Sequence, residues 1–246
     1  MPNKQIAERS ELKWPEDAGR LLIRNCVRTN VGSSMQEQRT SHFASRRALL
    51  LAGIVGLALG ALAKVADQSP VPGIGDVGTH LGVWVVVITA ASVTAPSRAA
   101  AAARSALLMI AMVAGYYTAA YLYFRVIPVL DIVVWSTGAL TGVPALAALV
   151  WPARHSGWAS SIAAAMPVGL LAAEALTFRH YIGMGLHIAP FAFDLLAALA
   201  LLWLLPSTWR NRLRSGFLAL PVAIVGMWAI TVGFSHAAGL LMRALV

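Results

Sequence analysis

Seven long apolar stretches, separated by short polar connections, dominate the chain from residue 48 onward. They lie near residues 48–66, 79–95, 105–124, 129–151, 158–178, 188–205 and 216–242. A helix needs about 20 apolar residues to cross a bilayer core, and each stretch approaches this length, the second being at the lower limit. The pattern predicts an all-α, polytopic membrane protein with about seven transmembrane helices over residues 48–246. Because the connections are short, consecutive helices are expected to pack as antiparallel neighbours.

The composition agrees with this class. The chain has 246 residues, of which 59% are hydrophobic and 12% are charged, whereas a soluble domain carries about 25% charged residues. A net charge of +9 would indicate nucleic-acid binding in a soluble protein, but the basic residues here fall in short loops, where they set orientation. We therefore expect the lipid bilayer, and no nucleic acid, as a partner. With one cysteine, Cys26, neither an internal disulfide nor a cysteine-based zinc site can form.

Residues 1–47 form a polar, basic segment that holds nine of the nineteen lysines and arginines. The segment lacks the apolar core of a secretory signal, and we predict a disordered cytoplasmic tail. An amphipathic helix around Ala18–Val27, lying on an anionic inner leaflet, is the alternative. Met35 is a second candidate start of the protein.

The lysines and arginines near the apolar stretches predict the orientation. With the tail inside, nine of them lie on the inner side: Arg39, Arg46, Arg47, Arg98, Arg104, Arg154, Arg210, Arg212 and Arg214. Four lie on the outer side: Lys64, Arg125, Arg179 and Arg243. This asymmetry predicts a cytoplasmic N-terminus and an external C-terminus. Tryptophans flanking the inner turns, at positions 151, 158, 203 and 209, are expected to be interface anchors.

All five carboxylates beyond the tail fall in the outer half of this arrangement: Asp67, Asp76, Asp131, Glu174 and Asp194. Tyrosine hydroxyls and several histidines lie on the same side. Charged groups at membrane depth are costly and tend to face the interior of a bundle, where they pair. We predict an outward-facing polar pocket with six candidate residues: Lys64, Asp67, Asp76, His80, Glu174 and Asp194. Solvation at the membrane interface is the alternative for Asp67 and Asp76, and a purely structural polar pair is the alternative for Glu174 and Asp194.

Lys64 is the expected counter-ion of this pocket. Small residues precede it at four-residue spacing: Ala52, Gly56 and Gly60. Such a stripe allows close helix packing, and we expect Lys64 to pair with Glu174 or Asp194. Pairing with Asp67, three residues further on, and extension of the side chain toward the interface are the alternatives.

Other small-residue features are expected to be architectural. Gly138 and Gly142 predict close packing of the fourth span. The alanine run at 99–103 predicts a helical extension in an inner connection. Between the first two spans, the loop Asp67–Gly78 contains two prolines and three glycines, which predicts either a cap over the pocket or a plain exterior loop.

No nucleotide-binding loop, metalloprotease motif or nucleophile elbow occurs in the chain. We therefore predict no catalytic residue, no metal ligand and no cofactor. One enzyme class retains some support, an intramembrane zinc hydrolase, because suitable ligand types share the outer side. They are His80, His180, His187, His236 and Asp194. No two of them have the i, i+4 spacing that makes such sites recognisable.

The segment GALAKVADQSPVPGIGDVGTHLGVW, together with AGYYTAAYL at Ala114–Leu122, resembles an uncharacterised family of bacterial integral membrane proteins, a domain of unknown function. This resemblance runs from about residue 46 to the end and implies location in the bacterial cytoplasmic membrane. A looser similarity links the small-residue stripe and the polar outer side to the substrate-capturing subunits of energy-coupling-factor transporters. Those subunits typically have six spans, and a seventh departs from them.

Three hypotheses for function follow. The first is a non-enzymatic protein that binds or transports a small polar solute through the outward-facing pocket. The second is a structural or assembly protein whose polar groups pair internally and whose basic inner face contacts lipids or a partner. The third is the zinc hydrolase.

Overall fold

The computed structural model describes residues 46–71, 73–78, 80–182 and 188–233, and every regular element in these ranges is helical. Nine α-helices occur there: α1 (Arg46–Asp67), α2 (Ile74–Gly78), α3 (Leu81–Val93), α4 (Arg98–Phe124), α5 (Val129–Leu140), α6 (Gly142–Val150), α7 (Trp158–Ile182), α8 (Ile188–Leu204) and α9 (Trp209–Trp228). A 3-10 turn, Trp151–Arg154, follows α6, and a π-helical turn, Ala229–Gly233, follows α9. Nearly all of the predicted tail lies outside the described residues, so its predicted disorder stays a prediction.

Within the described ranges, five helical segments are long and apolar enough to cross a membrane. They are Arg46–Asp67, Arg98–Phe124, Val129–Arg154, Trp158–Phe178 and Trp209–Thr231. Helices α3 and α8 are apolar but shorter. All seven apolar stretches of the sequence thus contain helix, and the chain is all-helical over its described part with a composition compatible with a multi-pass membrane protein.

Helix α4 starts at Arg98, earlier than its apolar stretch, because the alanine run continues the helix as predicted. The Ser97 side chain accepts a hydrogen bond from the Ala100 N–H at 3.2 Å and caps the helix start. Helix α9 also begins before its apolar stretch, where Thr208 accepts from the Asn211 N–H at 3.3 Å. Polar capping residues, rather than the onset of hydrophobicity, therefore set both starts.

The predicted fourth span is two helices, α5 and α6, divided at Thr141. Pro144 has no N–H to donate to the Leu140 carbonyl, so the helical ladder is interrupted there. At the break, the Thr137 carbonyl accepts both the Thr141 backbone N–H at 3.0 Å and the Thr141 hydroxyl at 2.7 Å. A Cβ built on Gly138 or Gly142 meets no described atom within 4 Å, so the packing role predicted for these two glycines is not observed.

Helices α1 and α4 contact each other through glycine, as the small-residue stripe predicted. A Cβ on Gly60 would lie 2.0 Å from the Met112 carbonyl oxygen. From the other side, a Cβ on Gly115 would lie 2.2 Å from the Leu57 carbonyl oxygen. Real Cβ atoms do not approach that closely, so glycine is what lets these two backbones touch.

Helix α7 is the most buried of the long helices and packs most extensively against α9. Gly169 and Gly226 permit this contact, since Cβ atoms there would lie 2.5 Å from the Val222 Cβ and 2.9 Å from the Ala173 Cβ. The consecutive pair α7 and α8 also packs closely, whereas α8 and α9 contact each other little. The expectation that packing follows chain order therefore holds only in part, because the small residues join helices that are not consecutive.

Two of the exposed predicted anchors pair with arginine. The guanidinium of Arg212 lies 4.1 Å from the centre of the Trp203 ring, and that of Arg214 lies 4.4 Å from the centre of the Trp158 ring. Both tryptophans are exposed, and each ring gains a cation–π contact. The arrangement fits an aromatic and basic belt at one membrane face.

Candidate functional site

The structure brings the polar candidates together in two groups. We call His80, Glu174 and Asp194 the His80 cluster. Lys64, Asp67 and the hydroxyl of Tyr116 form the Lys64 cluster. The sixth candidate, Asp76, is exposed on α2.

His80 occupies the centre of the first cluster. It directly precedes α3, and its ring nitrogens face carboxylates from two other helices. The His80 Nδ1 lies 2.5 Å from Oε1 of Glu174 on α7, and Nε2 lies 2.8 Å from Oδ2 of Asp194 on α8. The exposed fractions are 4% for His80, 6% for Glu174 and 0% for Asp194. Three helices thus meet at one buried, ionisable group.

Glu174 also caps α3. Its Oε1 accepts a hydrogen bond at 3.1 Å from the N–H of Leu81, the first residue of that helix. An N-terminal N–H has no partner within its own helix, and a negative charge there is favoured by the helix dipole. The rings of Phe178 and Phe193 lie with their centres 4.9 Å and 6.4 Å from that of His80. The cluster therefore has polar centres and partly aromatic surroundings.

Gly82 makes room for Asp194. A Cβ at position 82 would lie 1.9 Å from the Asp194 Oδ1 and 3.1 Å from the Leu171 Cδ2. Because Asp194 is fully buried, it has no open side toward which it could retreat. Sequence reasoning missed this residue, since a glycine beside an apolar stretch gives no sign of the distant carboxylate that needs the space.

We expect Gly82→Ala to displace Asp194 from His80 and to lower the thermal unfolding midpoint of detergent-purified protein by several degrees. The size of this decrease follows from the cost of overpacking a buried site, about 1–3 kcal/mol. The matched control is Gly216→Ala, because a Cβ there meets only Leu202 side-chain carbons at 3.7–3.9 Å. Equal midpoints for the two variants would contradict the close approach.

Two carboxylate oxygens in the His80 cluster lack a hydrogen-bond partner among the described residues, Glu174 Oε2 and Asp194 Oδ1. Two ionised carboxylates around one histidine carry a net charge of −1 if the histidine is protonated and −2 if it is neutral. Unpaired buried charge costs several kcal/mol. With both carboxylates ionised, the cluster is thus short of positive charge.

The expected pairing of Lys64 with Glu174 or Asp194 is not observed, because His80 lies between those carboxylates. Lys64 forms an ion pair with Asp67, which was the local alternative. The Lys64 side chain is buried rather than extended toward the interface. Residues three apart on one helix are neighbours on its surface. Their ion pair therefore does not depend on how α1 packs against the other helices.

Tyr116 completes the Lys64 cluster from α4. Its hydroxyl donates to the Asp67 Oδ2 at 3.1 Å and lies 3.5 Å from the Lys64 Nζ. The ammonium of Lys64 also lies 4.9 Å from the centre of the Phe124 ring. The α1–α4 contact through Gly60, one turn before Lys64, holds these groups together.

A hollow adjoins the Lys64 cluster. It has an inner cavity of about 110 Å³, lined by Trp84, Met109, Val113, Tyr116, Tyr117 and Trp135. An outer groove of about 450 Å³ shares Tyr116 and Tyr117 with this cavity and extends past Lys64 to Asp131. A water molecule needs roughly 10–15 Å³ on this measure, so even the cavity alone accommodates more than one.

The histidines of the hydrolase hypothesis are only partly tested. The side chain of His180, and all of His187 and His236, lie outside the described residues. In the part of the chain that is described, one group has ligand types suited to a metal ion, the His80 cluster, whose ligand atoms lie within 4.8 Å of one another.

Comparison with known proteins gives one result. Residues 39–239 match the model of a protein family described as a family of unknown function (DUF6518). No curated protein matches the chain, and no solved structure matches it either. The segments that begin at Gly60 and Ala114 resemble an uncharacterised family, and the match agrees with that resemblance.

Proposed function

The chain belongs to the DUF6518 family of unknown function, and from its geometry we propose a multi-pass membrane protein that binds or transports a small polar solute. The hollow beside the Lys64 cluster is the observation that carries this proposal. Charged, hydroxyl and aromatic groups meet at one cavity there, which is typical of ligand sites.

The proposed membrane arrangement has seven crossings, with the N-terminus in the cytoplasm, the C-terminus outside and the bacterial cytoplasmic membrane as the location. Seven apolar helical segments support it, five of them of full crossing length. The excess of lysine and arginine on one side supports the orientation. In this arrangement the Lys64 cluster, at the end of α1, lies toward the exterior.

The polar groups of the hollow define the kind of solute. Lys64 and Asp131 offer a cation and an anion in the outer groove, and Tyr116 lines both the groove and the cavity. The indole rings of Trp84 and Trp135 form the apolar walls. A solute with a polar or charged end and a compact apolar body fits this combination.

A structural or assembly role is the second candidate, and internal pairing supports it. Lys64 and Asp67 neutralise each other within the protein, as polar groups that only stabilise a bundle would do. The two roles predict different behaviour of the same variants. A structural role predicts that losing Lys64 impairs folding, whereas solute binding predicts that the protein still inserts and folds but loses affinity.

The experiment is a thermal-shift screen of detergent-purified protein against amino acids, organic amines, carboxylates and sugars, followed by uptake of any hit into proteoliposomes. We expect Tyr116→Phe to weaken binding by about 10-fold, because it removes a hydroxyl that bonds a charged group. Tyr123→Phe is the control, since Tyr123 is an exposed tyrosine on the same helix.

The outcomes separate the two roles. A solute that stabilises the wild type and the Tyr123→Phe variant, but stabilises Tyr116→Phe less, supports binding in the hollow. If no solute in the panel shifts unfolding or enters vesicles, and Lys64→Met lowers the yield of folded protein, the structural role is the better account.

A further inference from the structure

We propose that His80, Glu174 and Asp194 form a binding site for a divalent first-row metal ion, of the Zn²⁺ or Mn²⁺ class. This site is separate from the hollow beside Lys64 and does not depend on the solute-binding proposal. Its three ligands come from the start of α3, from α7 and from α8.

The ligand atoms are already close to the spacing that a metal requires. Zinc binds nitrogen and oxygen ligands at about 2.0–2.2 Å, so two ligands of one ion are at most about 4.4 Å apart. One nitrogen of His80 and one oxygen from each carboxylate lie within 4.8 Å of one another. These separations therefore exceed the limit for ligands of one ion by at most a few tenths of an ångström.

The charge of the cluster favours a divalent cation. With a neutral histidine, the two carboxylates carry −2, and a divalent ion reduces the total to zero. A protonated histidine alone leaves −1 in a buried place. By contrast, the Lys64–Asp67 pair is neutral without any ion.

The oxygens without partners are an independent observation. Glu174 Oε2 and Asp194 Oδ1 are buried and make no hydrogen bond to described residues, although buried polar atoms nearly always find partners. The donor set of one imidazole and two carboxylates is one that zinc and manganese accept. Secondary contacts are present too, since the Leu81 N–H bonds Glu174 and would fix its orientation.

The test is metal content. Full-length protein carrying a tag without histidines is purified in detergent, stripped with a chelator, incubated with a slight excess of Zn²⁺ or Mn²⁺, desalted and measured by mass spectrometry. We expect about one ion per chain. The Glu174→Gln/Asp194→Asn variant is expected to lose at least 10-fold in affinity, because it replaces two of the three proposed ligands, and losing even a group that only orients a ligand typically costs about 10- to 100-fold.

Controls separate this site from surface binding. Asp131→Asn removes an exposed carboxylate at the start of α5 and should bind as the wild type does. Glu174→Gln alone is included because glutamine keeps an oxygen for the Leu81 N–H, which favours folding. In the wild type the metal should raise the unfolding midpoint, and in Glu174→Gln this rise should be reduced.

Two results would overturn the proposal. One is wild-type protein that retains well below one ion per chain with both metals. The other is equal retention, and an equal rise in unfolding midpoint, in the wild type and Glu174→Gln. Stoichiometric binding that is lost in the cluster variants and kept in Asp131→Asn would establish the site.

Discussion

Replacing His80 with alanine is expected to lower the free energy of unfolding by about 3–5 kcal/mol, the typical result of breaking a buried charge pair from one side. The imidazole contacts both Glu174 and Asp194. Without it, two buried carboxylates face each other with no cation between them, and the small side chain leaves a cavity. In a protein of this size the thermal midpoint should fall by roughly 10 °C, measured by intrinsic fluorescence in detergent without added metal.

The combined variant His80→Ala/Glu174→Gln/Asp194→Asn distinguishes charge from packing. Neutral amides do not repel each other, so this variant should recover part of the stability that His80→Ala loses. If none of the stability is recovered, the loss in His80→Ala comes mainly from the missing volume of the imidazole and not from the unpaired charge of the carboxylates. A midpoint for His80→Ala equal to that of the wild type would contradict the central position of the histidine.

The apolar pattern predicted the helices because each span carries its own signal. Length and hydropathy placed all seven apolar helical segments, and the predicted stripe that includes Gly60 lies on the contact with α4. The boundaries were less predictable, since a cap such as Ser97 or Thr208 can start a helix in polar sequence. The break at Thr141 depends on Pro144, whose effect on a span ranges from a mild kink to a full interruption.

The partners of the charged residues could not be read from the sequence. Periodicity gives the face of a helix on which a residue lies, but not which residue faces it across the bundle. His80 and Asp194 are 114 positions apart, and nothing local distinguishes that pairing from one between Lys64 and Asp194. Five of the six candidates, all except Asp76, nevertheless belong to one of the two clusters.

The separation into two clusters has a physical reason. Lys64 reaches Asp67 within one turn of its own helix, so it needs no distant partner. Glu174 and Asp194 are then left with each other, and two buried carboxylates require a cation or a donor between them. His80 is the group at hand, because the chain places it directly before α3. One local ion pair thus makes the histidine necessary.

Gly60→Leu is expected to have the second large effect, a loss of most of the folded protein. Any side chain at residue 60 would collide with the backbone of α4, since its Cβ would lie 2.0 Å from the Met112 carbonyl oxygen and 2.8 Å from the Tyr116 nitrogen. A backbone cannot move aside as a flexible side chain can, so α1 must separate from α4. That separation also removes Tyr116 from Asp67 and opens the hollow.

The matched control is Gly138→Leu, which makes the same change within a helix where a Cβ meets no described atom within 4 Å. Both substitutions raise helix propensity equally, so a difference between them reports packing alone. Folded protein is measured as the monodisperse fraction in size-exclusion chromatography of a fluorescent fusion. We expect Gly138→Leu to match the wild type and Gly60→Leu to fall several-fold. If both variants elute as the wild type does, α1 does not depend on the glycine contact, and the position of Lys64 beside Tyr116 would need another cause.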